Sequence, residues 1–353
     1  MPREDRERHP AYAAICEAVA ADPWLLDLAD RVPPPQLKVN VLLASVHFLL
    51  LQGAEHPLAH HYPTVCVTRG LTPADPDPTA AAQAFVDFCR QFEAEVEALL
   101  LVRATQTNEV ARTLVLGAGL AELRHRGLST VGLLDAGCSA GLNLFPDAYA
   151  RRYAAPGGEI TTIPSGARVQ LSGQVTGAMP PTTLPGIQGR VGLDQFPIEV
   201  GDHLERTWLL SCLWPDDVER FERLLLAAEV SEQRAAERLL LKGDLVDDLA
   251  RAAAQLSSEH PIVLTTSWAA AYLPHERRPL LTAEVASIAA HRPLAWLCVE
   301  SVGVTQHLGL YPSDGPELPP FASVLTLTTF DGAQRSELLA EVHPHGAWIT
   351  WLA

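Results

Sequence analysis

Lysine is almost missing: Lys38 and Lys242 are the only two in 353 residues. The basic charge is therefore nearly all arginine, and 26 Lys+Arg against 42 Asp+Glu leave a formal charge of −16. A chain of this sign has no basic field to displace counterions, which argues against non-specific nucleic-acid binding. Cysteine is scarce too. The six, at 16, 66, 89, 138, 212 and 298, form no Cys-x-x-Cys pair, so buried free thiols in a reducing cytoplasm are expected. No apolar run approaches the roughly 20 residues of a membrane span. The most apolar early stretch, 39–51, is interrupted by Asn40, Ser45 and His47, and the charged first nine residues lead into no signal core. A cytoplasmic protein without a membrane partner is expected. Charged residues make up only 19%, against 48% hydrophobic. Such a chain can bury a large core, and its length suits one large or two modest domains.

Two halves differ in pattern. Up to about Gly127, apolar residues recur at helical spacing over 11–21, 39–51, 79–102 and 107–124. Proline clusters at 33–35 and 73–78 separate these segments. Beyond Gly127, short apolar runs at 131–135, 190–193, 238–242, 261–266 and 294–299 mostly alternate with helical stretches. That alternation indicates a parallel, doubly wound sheet. Residues 148–189 are the exception: Gly, Pro and Thr abound there, and 168–173 alternates as a strand does. They read as a small β-rich insertion. Segments 323–330 and 337–343 read as an antiparallel pair joined at Asp331-Gly332. The expected organisation is an N-terminal helical domain, 1–127, and an α/β domain, 128–353, that carries the insertion.

The strongest local signal is Leu133-Leu134-Asp135-Ala136-Gly137-Cys138-Ser139-Ala140-Gly141-Leu142-Asn143. A strand ends in an acid, a glycine turn follows, and a helix begins. Small residues let a ligand approach the backbone, and a helix N-terminus favours polar or anionic groups. The same string fits Gly-x-Ser-x-Gly, with Ser139 as a hydrolase nucleophile, but no acid followed by a histidine stands downstream at matching strand ends. Later strands also end in acids. Gly192-Leu193-Asp194 places a carboxylate where a ribose diol needs an acceptor. Lys242-Gly243-Asp244 places another to meet an adenine amino group, and Thr265-Thr266-Ser267-Trp268 ends the fourth strand beside the reacting group. Singly, each acid is more simply a helix cap. In this order they resemble the S-adenosylmethionine-binding face of class I methyltransferases. NAD-binding folds share the first two signals but carry Gly-x-Gly-x-x-Gly, which this chain lacks.

The chain also resembles the bacterial domain-of-unknown-function family two-three-three-two, itself similar to class I methyltransferases. The matching strings run in order: Ala44-Ser45-Val46-His47, Gln106-Thr107-Asn108-Glu109, the 136–143 turn, Gly192-Leu193-Asp194, Trp214-Pro215, Gly243-Asp244 and His343-Pro344-His345-Gly346. The resemblance implies an α/β fold: a Rossmann-like class I methyltransferase sheet with an N-terminal helical domain and a small β-rich insertion. It implies S-adenosylmethionine as cofactor, held by Asp135, Gly137, Ser139, Gly141, Asn143, Asp194, Asp244, Leu245 and Thr266. Candidate catalytic residues are Asn108, Glu109, Ser267 and His343. Candidate acceptor contacts are Gln106, Arg112, Tyr272, Glu300 and His345. Asn108 and Arg112, four apart, would share a helix face. No metal is expected, because Pro57 breaks the His56, His60, His61 spacing and no other ligand completes a set.

The expected activity is methyl transfer to a small-molecule acceptor. Two other readings stand beside it. One is attack on the aminocarboxypropyl chain, with or without ring closure, releasing methylthioadenosine; the departure at Thr266-Ser267, where the family often has His-Ser, motivates it. The other is a non-catalytic S-adenosylmethionine-binding or scaffold protein.

Overall fold

A computed structural model describes residues 9–34, 36–162, 164 and 166–353. The chain forms two compact units, Met1–Thr107 with Glu199–Leu225, and Asn108–Ile198 with Leu226–Ala353. Among the described residues no helix is long and apolar enough to cross a membrane.

In the first unit lie the helices Pro10–Ala21, Pro23–Asp30, Lys38–Leu51, Pro63–Arg69, Pro78–Gln91, Glu93–Leu100 and His203–Ser211. Four of them open on proline, whose fixed φ suits the first turn and whose missing N–H costs nothing there. Asp22 and Asp77 cap two, accepting from Trp24 N and from Thr79 and Ala80 N. The helix expected over 79–102 is two helices. Phe92 leaves the helical backbone at φ −112°, ψ 32° and stacks on Phe88 with centroids 4.5 Å apart. His47, in the buried Lys38–Leu51 helix, lies 2.9 Å from Thr64 Oγ1 and 3.1 Å from Ser211 O. Burial pushes its pKa down to about 4, so it stays neutral. The Ala-Ser-Val-His string is thus a structural joint of this unit.

The second unit is mixed α/β, built on one large, mostly parallel sheet. Its strands are β1 Thr130–Ala136, β2 Ala150–Ala155, β3 Gly158–Thr162, β4 Gln170–Gly177, β5 Gly186–Asp194, β6 Leu239–Lys242, β7 Ile262–Ser267, β8 Leu294–Ser301, β9 Ser323–Phe330, β10 Gln334–Val342 and β11 Trp348–Trp351. Their order is β3-β2-β4-β11-β10-β9-β8-β7-β1-β5-β6. The block β6-β5-β1-β7-β8 is parallel throughout. Strand order reverses at β1, since β5 and β6 extend the sheet one way and β7 and β8 the other. The expected hairpin is β9–β10, with Gly332 left-handed at its turn. The β-rich stretch does not stand apart from the sheet. Its strands β2–β4 complete the far edge, because β4 pairs with β11.

One side of the parallel block is filled by Leu134, Val191, Leu264 and Trp296, packed on Leu249 and Ala252 of one helix (Leu249–Ala253) and Leu281 and Val285 of another (Arg278–Ala289). The helix Arg112–His125 is buried from Arg112 to Leu123, as a helix apolar on every side must be. It lies against β8, β9 and β4, where a Cβ on Gly119 would sit 2.9 Å from Leu297 and one on Gly173 2.5 Å from Leu114. That packing puts the helix with the sheet, so the compact units divide at 107/108 and not near 127.

Candidate functional site

In open parallel sheets, ligands settle beyond the carboxyl ends of the strands where strand order reverses. Here that point lies between β1 and β7. The turn leaving β1 holds three left-handed residues, Gly137 at φ +83°, Ser139 at +53° and Gly141 at +68°. A left-handed serine costs about 1–2 kcal/mol, and two side chains hold it in place. Ser139 N donates to Asp194 Oδ2 at 2.8 Å. Asn108 Oδ1 accepts from Ala140 N at 3.2 Å and Leu142 N at 3.1 Å. The Ser139 hydroxyl is buried and makes no hydrogen bond, so no histidine base activates it as a hydrolase would require.

Two expectations about this turn need correction. No α-helix begins at Gly141; only a 3₁₀ turn, Leu142–Leu144, follows. The glycines also do not open space for a ligand. A Cβ on Gly137 would run into Ala269, and one on Gly141 would lie 2.8 Å from Leu240. Protein atoms occupy those positions.

Asp135 is buried at the end of β1, where Thr265 Oγ1 donates to its Oδ1 at 2.8 Å. Burial, with the nearby Asp194 charge, pushes its pKa up to about 6. The neighbouring Thr266 points to the opposite face and accepts from Trp296 Nε1 at 3.0 Å inside the core. Asn143 Oδ1 accepts from Thr113 Oγ1 at 2.7 Å. Asp194 Oδ1 additionally takes Phe196 N at 2.9 Å. Asp244 is heavily engaged: it accepts from Val246 and Asp247 N, and Arg277 reaches its two oxygens at 3.1 Å each. Those bonds hold its carboxyl below the usual range despite partial burial. Leu245, beside it, is buried.

A second group gathers at the same strand ends. Arg112 Nη1 donates to Ser267 O at 3.1 Å and its Nε to Pro344 O at 2.9 Å. Glu109 Oε1 accepts from Ala111 N at 3.1 Å, while its Oε2 lies 3.4 Å from His345 Nδ1. His343 Nδ1 accepts from His345 N at 3.0 Å, and Gly346 N closes the turn on His343 O at 2.9 Å. Gly346 is left-handed, and a Cβ there would strike Ala111 O. The His-Pro-His-Gly string therefore packs as a turn against the start of the Arg112 helix. Asn108 precedes that helix and lies outside it, so the expected shared helix face with Arg112 is absent; the two meet the strand ends by separate bonds. Gln106 belongs to the first unit, where its N–H donates to Cys212 Sγ at 3.5 Å. Tyr272 is 77% exposed.

Glu300 at the end of β8 is 0% exposed. Its Oε1 accepts from Ala270 N at 2.8 Å and its Oε2 makes no hydrogen bond. Burial pushes its pKa up to about 7, against the pull of the Ala269–Ala271 N–H groups and Arg112. Sequence reasoning singled out the Thr265–Trp268 strand end but gave roles only to Thr266 and Ser267, and it passed over Ala269; Trp268 has φ +55° and a buried Nε1 without a hydrogen bond. A strand buried on both faces carries no signal for which of two adjacent threonines meets the acid. Among the described residues, no three His, Cys, Asp or Glu come together as metal ligands.

The raised carboxyls set a pH signature. A carboxyl whose folded pKa exceeds its unfolded value stabilises the fold while protonated, and that contribution is lost as pH rises through the folded pKa. Glu300 and Asp135 thus weaken the fold between about pH 4 and the folded values near 7 and 6. E300Q keeps the oxygen that accepts from Ala270 and removes the charge. It is expected to melt several degrees above wild type at pH 8, from about 3 kcal/mol of relieved burial, with the difference vanishing near pH 5. A melting difference independent of pH would refute the assignment.

These features define a class: an α/β protein whose parallel sheet reverses at β1 and gathers buried carboxylates at its strand ends. The family described as uncharacterized protein conserved in bacteria (DUF2332) matches residues 2–351, and the chain belongs to it. No curated protein matches the chain.

Proposed function

We propose that the chain binds S-adenosylmethionine at the reversal between β1 and β7 and transfers its methyl group to a small-molecule acceptor, on a Rossmann-like sheet of class I methyltransferase type. One observation carries the reading: the left-handed Gly137–Gly141 turn, tied to Asp194 at the next strand end, buries a Ser139 hydroxyl that makes no hydrogen bond. Buried polar groups are rarely left without a partner, and a polar ligand would supply one. The residues present fit the cofactor. The Ser139 hydroxyl would serve its amino-acid portion, though the glycine positions beside it are filled by Ala269 and Leu240, and Asp194, with one lone pair still open on each oxygen, suits the ribose diol. Bound there, the sulfonium supplies an electrophilic methyl carbon. The chain's own part is to orient and to exclude water, which accounts for much of the rate in such transfers. Asn108 and Asp194 hold the turn rigid, and Arg112 fixes the Ser267 end of β7. The charge of −16 favours a small acceptor over nucleic acid.

Calorimetric titration with S-adenosylmethionine, followed by mass spectrometry of the nucleoside product, tests the reading. Binding with release of S-adenosylhomocysteine is expected. Methylthioadenosine would redirect it to aminocarboxypropyl transfer or cyclisation, and binding without turnover on any acceptor to a non-catalytic role. NAD binding without sulfonium binding would overturn it.

A further inference from the structure

We propose that the segment 268–277, which follows β7, is a strap closed over the carboxyl ends of the strands, latched by Arg277, and that it lifts to admit a nucleoside ligand. As a statement about the segment, this stands on its own; as a statement about S-adenosylmethionine, it rests on the transfer reading above.

The strap starts at β7, and the next strands across the sheet are β1, β5 and β6. It makes contact at both ends of that row. Near its start, the Ala269 methyl stands where a side chain on Gly137 would be, and so fills the room beside the turn after β1. At its end, Arg277 reaches the loop after β6. Its Nη1 and Nη2 lie 3.1 Å from the two oxygens of Asp244, and Nη2 lies 2.8 Å from Asp247 Oδ1.

That second contact also uses up Asp244. Val246 N, Asp247 N, Gln195 Nε2 and both Arg277 Nη groups donate to it. These are five donors on a carboxylate with about four lone-pair positions. An adenine amino group therefore finds no free acceptor there until Arg277 leaves. The one segment thus occupies two of the positions that a nucleoside across these strand ends would need.

The hold on the strap is limited. Only Ala270 and Leu273 of its residues are buried, while Tyr272 is 77% exposed. Ala270 N donates to Glu300 Oε1 at 2.8 Å, and Ala271 O accepts from Arg278 Nη2 at 3.1 Å. Trp268, where the strap leaves β7, holds a left-handed backbone at φ +55°. A large side chain seldom adopts that conformation, and such strain concentrates at clamps and switch regions. Releasing it offsets part of the cost of lifting. A ligand that binds only the lifted form has its affinity reduced by the fraction lifted, so weakening the latch tightens binding.

Hydrogen exchange read by mass spectrometry compares the full chain with R277A, both without ligand. Arg277 is a part-exposed side chain, and thermal melts confirm that the variant is folded. Exchange should quicken over 268–277 and over the 137–141 turn, and stay as in wild type over the buried helix 112–125. S-adenosylmethionine is then titrated into both proteins. R277A should bind about three- to tenfold more tightly, the effect of removing two part-exposed ion pairs. Its association rate should also level off at a higher value as ligand is raised. R277K should fall between, because one ammonium cannot span both oxygens of Asp244. If exchange is unchanged in R277A, or if it quickens while affinity and association rate match wild type, the inference is overturned. Unchanged exchange with sulfonium binding removes only the strap. Quickened exchange over both segments with no sulfonium binding to either protein removes the proposed cofactor and leaves the strap.

Discussion

Replacing Arg112 with leucine should lower the melting temperature by about 10 °C. The guanidinium donates to Ser267 O at the end of β7 and to Pro344 O in the His-Pro-His-Gly turn, and it is the cation that pulls against the raised carboxyls of both Asp135 and Glu300. Losing it strands the buried carbonyl of Ser267 and the part-buried one of Pro344, and leaves buried carboxylates without their balancing charge. Removing one partner of a buried charged set costs about 3–5 kcal/mol, and each kcal/mol moves the melting point of a unit this size by about 2–4 °C. The deficit should be larger at pH 8 than at pH 5, because at pH 5 the two carboxyls are largely protonated and need less balancing. Lysine should not restore stability: a single ammonium cannot occupy both donor positions of the fork. Thermal melts of both variants at the two pH values provide the check. A leucine variant melting within about 2 °C of wild type would show that Arg112 binds nothing the fold depends on.

The second large effect concerns ligand affinity at Asp194. Its two oxygens already take Ser139 N and Phe196 N, so a ribose diol would use the remaining lone pairs. Hydrogen bonds to a charged acceptor contribute about 1.5–3 kcal/mol each, and D194A should weaken S-adenosylmethionine binding by well over tenfold. Alanine also frees Ser139 from the anchor that holds its left-handed backbone, so a melting loss of a few degrees should accompany it. D194N separates the two roles. Its oxygen can still accept from one backbone N–H, but its amide nitrogen faces the other donor and cannot accept from the ribose. A folded D194N that keeps full affinity would reject the ribose role and leave Asp194 as a buttress of the turn.

Residue patterns foretold much of this architecture and less of its site. Five parallel strands, the β9–β10 hairpin and the acids at or just past the ends of β1, β5 and β6 are legible, since apolar runs followed by an acid and glycine have few alternative readings. The break at Phe92 is not: Phe92 continues the apolar stripe of its helix, and nothing in that pattern marks the departure to φ −112°, ψ 32°. Residues 107–111 keep helical spacing yet stay non-helical, because Asn108 serves the turn after β1. Thr265 and Thr266 are chemically alike on a strand buried on both faces, so alternation could not tell which one meets Asp135. Glu300 reads as one acid at a strand end; only its burial gives it a distinct character.

Strand β11 carries a consequence for the order in which the protein is made. Gln174 of β4 pairs with Trp348 of β11, and Ala340 of β10 pairs with Trp351. A ribosome that has released β2, β3 and β4 must therefore translate through β5–β10, the other four strands of the parallel block among them, before the strand that stitches them on appears. Until then β4 presents an open edge, and pairings of such long sequence separation form slowly. The nascent three-strand sheet is where a chaperone would be needed and where premature edge-to-edge association between chains would begin.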